Sequence, residues 1–229
     1  MRLKPVGVDG ILAVLGEEIS ESTGARVTAL NEALRRETPE GLLETVPAYA
    51  SLLVRFDPFA ADWDELAATL IRLEKGLQES SAGAGRTVEL PVCYGGEFGE
   101  DLSFVAKNAG LTEDEVIRLH SGREYRVYML GFLPGFPYLG GLDPRLETPR
   151  LETPRTLIPA GSVGIGGRQT GVYPLASPGG WRLIGRTPVP LDDGERLPYA
   201  AGDRIRFVPI SPDEFAAVRR RAEEGKPWA

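Results

Sequence analysis

Residues 131–186 constrain the fold of this chain more than any other stretch: GFLPGFPYLGGLDPRLETPRLETPRTLIPAGSVGIGGRQTGVYPLASPGGWRLIGR. Glycine and proline punctuate it throughout, and helical periodicity is almost absent. A structureless connection of this length is rare inside a compact domain. Glycines permit sharp turns and close approaches, and prolines fix the backbone between them. The stretch therefore reads as short strands joined by rigid turns, building a surface site.

The flanking chain shows clearer periodicities. Residues 11–15 form an apolar run after the Asp9-Gly10 turn signal, and a helix is expected over 20–36 with Val27, Leu30 and Leu34 on one face. Two strands follow, 42–46 and 51–56, broken near Pro47. The clearest helix begins at Asp62 with Glu65 in a capping-box-like spacing and repeats Trp63, Leu66, Ala67, Leu70, Leu73 and Leu77. The small-residue run 80–85 is the natural linker. Strand, helix, two strands, helix within some eighty residues suggests a small ferredoxin-like α/β sandwich as domain 1–83.

Domain 84–229 opens with a strand over 87–94. A helix over 101–109 stops at Gly110, and a second is boxed by Thr112 and Glu115 and stopped by Gly122. His120 falls at the edge of that helix's buried face. A strand over 125–130 leads into the glycine–proline stretch. Beyond it come a turn at Asp192-Asp193-Gly194, a strand over 204–208, a helix started by Ser211-Pro212-Asp213-Glu214, and a frayed tail over 225–229. Many short strands with few helices point to a β-barrel or β-sandwich, so the fold class is α+β.

Composition narrows the function. A net charge of −7 disfavours nucleic acid or an anionic membrane as partner. No apolar run approaches the roughly 20 residues of a membrane span, and the N-terminus lacks a signal-peptide core. The single cysteine, Cys93, fits a reducing cytoplasm. One histidine and one cysteine are too few for a zinc site, so no metal is expected. GIGGRQTG (164–171) lacks a phosphate-cradling context. A triad of Ser162, His120 and Asp203 has no support in spacing.

Arginines and aromatics remain. Arg150 and Arg155 end the two copies of LETPR over 146–155, each after a proline. Arg155 and Arg186 have the chemistry of a bidentate anion clamp; the alternative is surface pairing with Glu147, Glu152 or Asp143. Phe132, Phe136, Tyr138, Tyr173 and Trp181 stand beside Pro and Gly. They either wall a pocket or form a docking face. Gln169 and Tyr173 add neutral hydrogen-bonding groups suited to an amide.

The motifs GFLPGF, PAGSVGI, QTGVYP and SPGGWRLIGRTP occur in that order, with PVCYGGEFGEDL upstream and AGDRIRFVPI downstream. Together they make the chain resemble the KipI / allophanate hydrolase subunit 1 family over about residues 87–210. The resemblance implies a cyclophilin-like β-barrel for domain 84–229. It implies that the chain is the B component of a complex, with a KipA or C-type chain and an A-type chain, that opens 5-oxoproline to glutamate using ATP. No nucleotide motif is present in this chain. It also implies two alternatives: inhibition of a sensor histidine kinase, and a urea amidolyase-type role. Under the first reading His120 donates or relays a proton, Arg155 or Arg186 holds a carboxylate or phosphate, and Gln169 and Tyr173 hold the amide. Phe132, Phe136 and Trp181 contact substrate.

Overall fold

The computed structural model describes residues 1–18, 20–77, 85–192 and 197–225. The chain divides into two compact units, Met1–Ala84 and Gly85–Ala229. Most of the linker stretch 80–85, turn residues 193 and 194, and tail residues 226–229 lie outside the described residues.

The first unit is a four-stranded antiparallel sheet, order β1-β2-β4-β3, with two helices. Its strands are β1 (Arg2–Val6), β2 (Gly10–Val14), β3 (Leu42–Pro47) and β4 (Ser51–Phe56). Its helices are α1 (Glu21–Glu37) and α2 (Trp63–Gly76). β1 is an addition to the elements expected from sequence. Pro5 and Pro47 sit on the two edge strands, where a missing N–H breaks no central ladder. Ile11, Ala13, Leu52, Val54 and Phe56 pack against Val27, Leu30 and Leu34 of α1 and Leu66 and Leu70 of α2. At the start of α2 the Asp62 carboxylate accepts from the Asp64 backbone N–H at 2.7 Å. The bond to position N3 that a capping box requires, here Glu65, is not the one formed.

The second unit is a closed seven-stranded barrel, order β10-β7-β6-β13-β5-β12-β9. The strands are β5 (Thr87–Tyr94), β6 (Glu124–Leu130), β7 (Pro137–Gly140), β9 (Ser162–Gly166), β10 (Gln169–Val172), β12 (Arg182–Arg186) and β13 (Arg204–Pro209). β8 (Arg155–Ile158) and β11 (Ser177–Gly179) pair separately. Thus six short strands, β7 to β12, account for the glycine–proline stretch. β5 and β13 run parallel, and every other described barrel pair is antiparallel.

Helices α3 (Leu102–Ala109) and α4 (Glu113–Ser121) add Leu102, Val105, Ala106 and Val116 to the barrel core of Leu90, Val92, Val127, Ile165 and Phe207. Gly110 ends α3 in the left-handed conformation, and Thr112 with Glu115 forms the complete capping box. α5 (Pro212–Glu223) starts with a second complete box, Ser211 with Glu214. His120 departs from its expected place: it is fully buried, stacked on Phe207 at 4.7 Å between ring centroids.

Candidate functional site: an aromatic cleft with one arginine

Phe136 is the hub of a second cluster in this unit, with Ile158, Tyr173, Trp181 and Leu183. Its ring meets Tyr173 at 5.2 Å, Tyr138 at 5.2 Å and Trp181 at 5.5 Å, each edge to face. That geometry places positive ring edges against negative faces. An open cavity of about 320 Å³ lies among these rings, Phe132 and Arg150.

Glycines make room for the rings. A Cβ on Gly166 would lie 2.5 Å from the Trp181 indole nitrogen, and one on Gly179 would lie 2.6 Å from the Tyr173 hydroxyl. A Cβ on Gly171 would meet Trp181 at 3.0 Å and Phe136 at 3.2 Å. These glycines of GIGGRQTG and SPGG therefore serve the cleft by their lack of a side chain. Phe132, at the rim, is 65% exposed. Its φ of 67° and the bond from the Leu133 N–H to the Gly131 carbonyl (2.8 Å) make a tight three-residue turn. Turns of this hand are rare and strained for a residue with a bulky side chain. Behind it, the Tyr199 hydroxyl donates to the Gly135 carbonyl at 2.9 Å and pins the loop.

Arg150 is the one charged residue in the described lining. Its guanidinium stands 5.7 Å from the centroid of the Trp181 ring and donates to Gln169 Oε1 at 3.4 Å. No ion pair holds it among the described residues. Burial raises the Tyr173 phenol above its ordinary range, which keeps it a protonated donor at neutral pH. The described lining contains no carboxylate, imidazole or thiol. The cleft is equipped to bind a small ring carrying an anionic group.

Of the residues expected from sequence, Phe132, Phe136, Tyr173 and Trp181 meet in this cleft, and Gln169 reaches it through Arg150. Arg155, Arg186 and His120 share no hydrogen bond or ion pair with one another. Arg155 donates to Asp101 (2.9 Å) and pairs with Glu100 (2.9 Å), rather than with Glu147, Glu152 or Asp143. Asp101 also receives the Leu183 N–H at 2.7 Å and lies 3.5 Å from Arg182. Arg186 donates to the Glu97 carbonyl at 3.2 Å and lies 5.8 Å from the Phe98 centroid. His120 bonds Tyr94 through Nδ1 and Thr170 through Nε2, both at 2.8 Å. Burial, with a smaller contribution from Arg123, lowers its pKa to about 3. Asp203 is occupied by Arg86 and the Ala200 N–H, so no triad with His120 and Ser162 exists. Arg150 was missing from the expected site residues. Its signal in the sequence was the LETPR duplication, which marks Arg150 and Arg155 alike. Among the described residues, no cluster of three or more His, Cys, Asp or Glu is placed to hold a metal.

The family model of the carboxyltransferase domain, subdomain C and D, matches residues 1–201. The chain belongs to that family. The resemblance to KipI / allophanate hydrolase subunit 1 chains is thereby borne out. This carboxyltransferase C and D chain is 40% identical to the B subunit of 5-oxoprolinase from Bacillus subtilis, across 96% of its own length and 98% of the relative's. A conserved uncharacterised protein of Pyrococcus horikoshii, known from a crystal structure, is 50% identical with a TM-score of 0.56, across 93% of this chain and 100% of that one. The Kluyveromyces lactis urea carboxylase superposes with a TM-score of 0.78 at 23% identity. That match takes in 98% of this chain and 23% of the larger one, a likeness of fold.

Proposed function

We propose that this chain is the B component of an ATP-dependent 5-oxoprolinase, opening 5-oxoproline to L-glutamate together with C-type and A-type partner chains in the cytoplasm. The observation that carries the reading is the cleft itself: ring-lined, with one guanidinium lacking an acidic partner. 5-Oxoproline is a five-membered cyclic amide bearing a carboxylate. Its ring suits the faces of Trp181, Phe136 and Tyr173, and its carboxylate suits Arg150. Arg150 takes the role first assigned to Arg155 or Arg186, because Asp101 and Glu100 already engage Arg155. Phe132 and Gln169 complete the contacts. ATP and the groups that activate the ring carbonyl belong to the partners, so the cleft is half of a shared site.

The names of the relatives support this place in a complex. The urea-directed alternative rests on more distant relatives, a urea amidolyase at 24% identity across 91% of this chain and 13% of that one, and on fold likeness to a urea carboxylase. The strand order β1-β2-β4-β3 with two helices supports a ferredoxin-like reading of domain 1–83, and the closed barrel supports a cyclophilin-like one of domain 84–229.

The deciding experiment mixes this chain with candidate C-type and A-type proteins and follows glutamate released from 5-oxoproline with ATP. Turnover that requires all three, with a KM raised by Arg150→Ala, is expected. No turnover, together with inhibition of a histidine kinase's autophosphorylation by the chain alone, would replace this reading.

A further inference from the structure

His120 is buried, fully bonded and outside the cleft, yet its bonds end on the hairpin against which the cleft's Trp181 and Phe136 rings pack. The Thr170 hydroxyl has one proton, and a carbonyl can only accept, so that proton goes to the Gly164 carbonyl at 3.0 Å. Thr170 Oγ1 must then accept from His120, which places the imidazole proton on Nε2. Nδ1 is left with its lone pair and accepts from the Tyr94 hydroxyl. The three bonds form one directed chain from β5 through α4 to β10 and β9, with every proton assigned.

The two faces of the β9–β10 hairpin then have separate duties. Thr170 and Ile165 are Cα partners in the pair, and Ile165 belongs to the barrel core. Gly171 and Gly164 are the next partners, and there the rings of Trp181 and Phe136 close in on Gly171. The hydroxyl therefore braces the hairpin from inside the barrel while the cleft aromatics press on it from the other face. A hairpin with glycine at 164, 166, 167 and 171 has few side chains to fix its own position.

We infer that His120 is a positioning residue for the cleft: acting through Thr170, it fixes the β9–β10 hairpin where Gly166 and Gly171 receive Trp181 and Phe136. The inference rests on the reading of the cleft as the 5-oxoproline site. It assigns no proton transfer to His120, because its chain of bonds ends on a backbone carbonyl.

The test uses Thr170→Val, which keeps the branched shape and removes the hydroxyl, and Thr170→Ser, which restores it. In the reconstituted complex, Thr170→Val raises KM for 5-oxoproline about fivefold, the value of one lost hydrogen bond, with kcat within about twofold. Thr170→Ser returns KM toward the parent value. A lowered melting temperature with unchanged KM in Thr170→Val overturns the positioning role. Trp181→Ala is measured alongside. Unchanged KM there overturns the cleft reading and this inference with it, whereas raised KM there and none in Thr170→Val overturns the inference alone. A second measurement needs no variant, since the chain has one histidine. Its long-range proton–nitrogen spectrum is expected to show a neutral imidazole protonated at Nε2, and a proton on Nδ1 would overturn the bond assignment.

Discussion

Arg150 and Arg155 end identical pentapeptides and have unlike surroundings, so removing them should have unlike effects. Arg155 is only 23% exposed in its side chain and bonds the buried Asp101. Arg155→Ala should therefore lower stability in urea by about 1–3 kcal/mol, because a buried carboxylate loses a donor. Arg150 has no such partner, and Arg150→Ala should shift stability by no more than about 0.5 kcal/mol while weakening 5-oxoproline binding in calorimetry. The sequence marks both arginines equally, because what distinguishes them is Asp101, 54 positions from Arg155. The same holds for Leu146 and Thr148, buried in the first copy, against Leu151 and Thr153, more exposed in the second. Phe132 makes a further residue-scale case. Phe132→Gly removes a strained side chain that is largely in solvent, and should raise stability by about 1 kcal/mol even as it weakens binding.

At the scale of elements, helices with caps were readable and strands without alternation were not. The α4 box of Thr112 and Glu115 stands as its spacing implied, and Thr112→Ala should cost about 1 kcal/mol in thermal or urea unfolding. Glu115, lowered by bonds from Thr112, belongs to the same motif. The α2 start shows the limit of spacing alone, since Asp62 turned to the N–H two residues on. Between β7 and β12 the strands are three to five residues long, and all but β8 carry glycine on one face. A period-2 pattern needs side chains on both faces, so their boundaries left no hydrophobic signature. The aromatics were legible as a group, because bulky rings beside glycines imply contact between them. Gly166→Ala tests that pairing. The added methyl must displace Trp181, with a cost of about 1–3 kcal/mol and a shift in tryptophan emission.

For the whole molecule, the buried histidine sets an acid limit. His120 is neutral in the fold with a pKa near 3, against 6.5 when exposed. The groups around it are Tyr94, Thr170, Tyr125, Phe207 and, electrostatically, Arg123. None of these is an acid that would stabilise an imidazolium. Between those two values the unfolded chain binds a proton that the folded one does not, so stability is fully present above pH 6.5 and falls as pH drops toward 3. The slope from this group is about 1.4 kcal/mol per unit, readable as a urea midpoint that declines with pH. Asp143, lowered to about 2 by its bonds with Arg145, acts in the same direction but only below its unfolded value of 3.8. The parallel pairing of β5 with β13 bears on how the protein is made. Thr87 meets Arg204, so the barrel's opening strand waits during synthesis for a partner more than a hundred residues later. Until the ribosome releases that strand, β5 presents a free edge along its length, open to mispairing with another nascent chain. Such a high contact order implies slow closure, and premature termination before Arg204 would leave a sheet that cannot close rather than a smaller barrel.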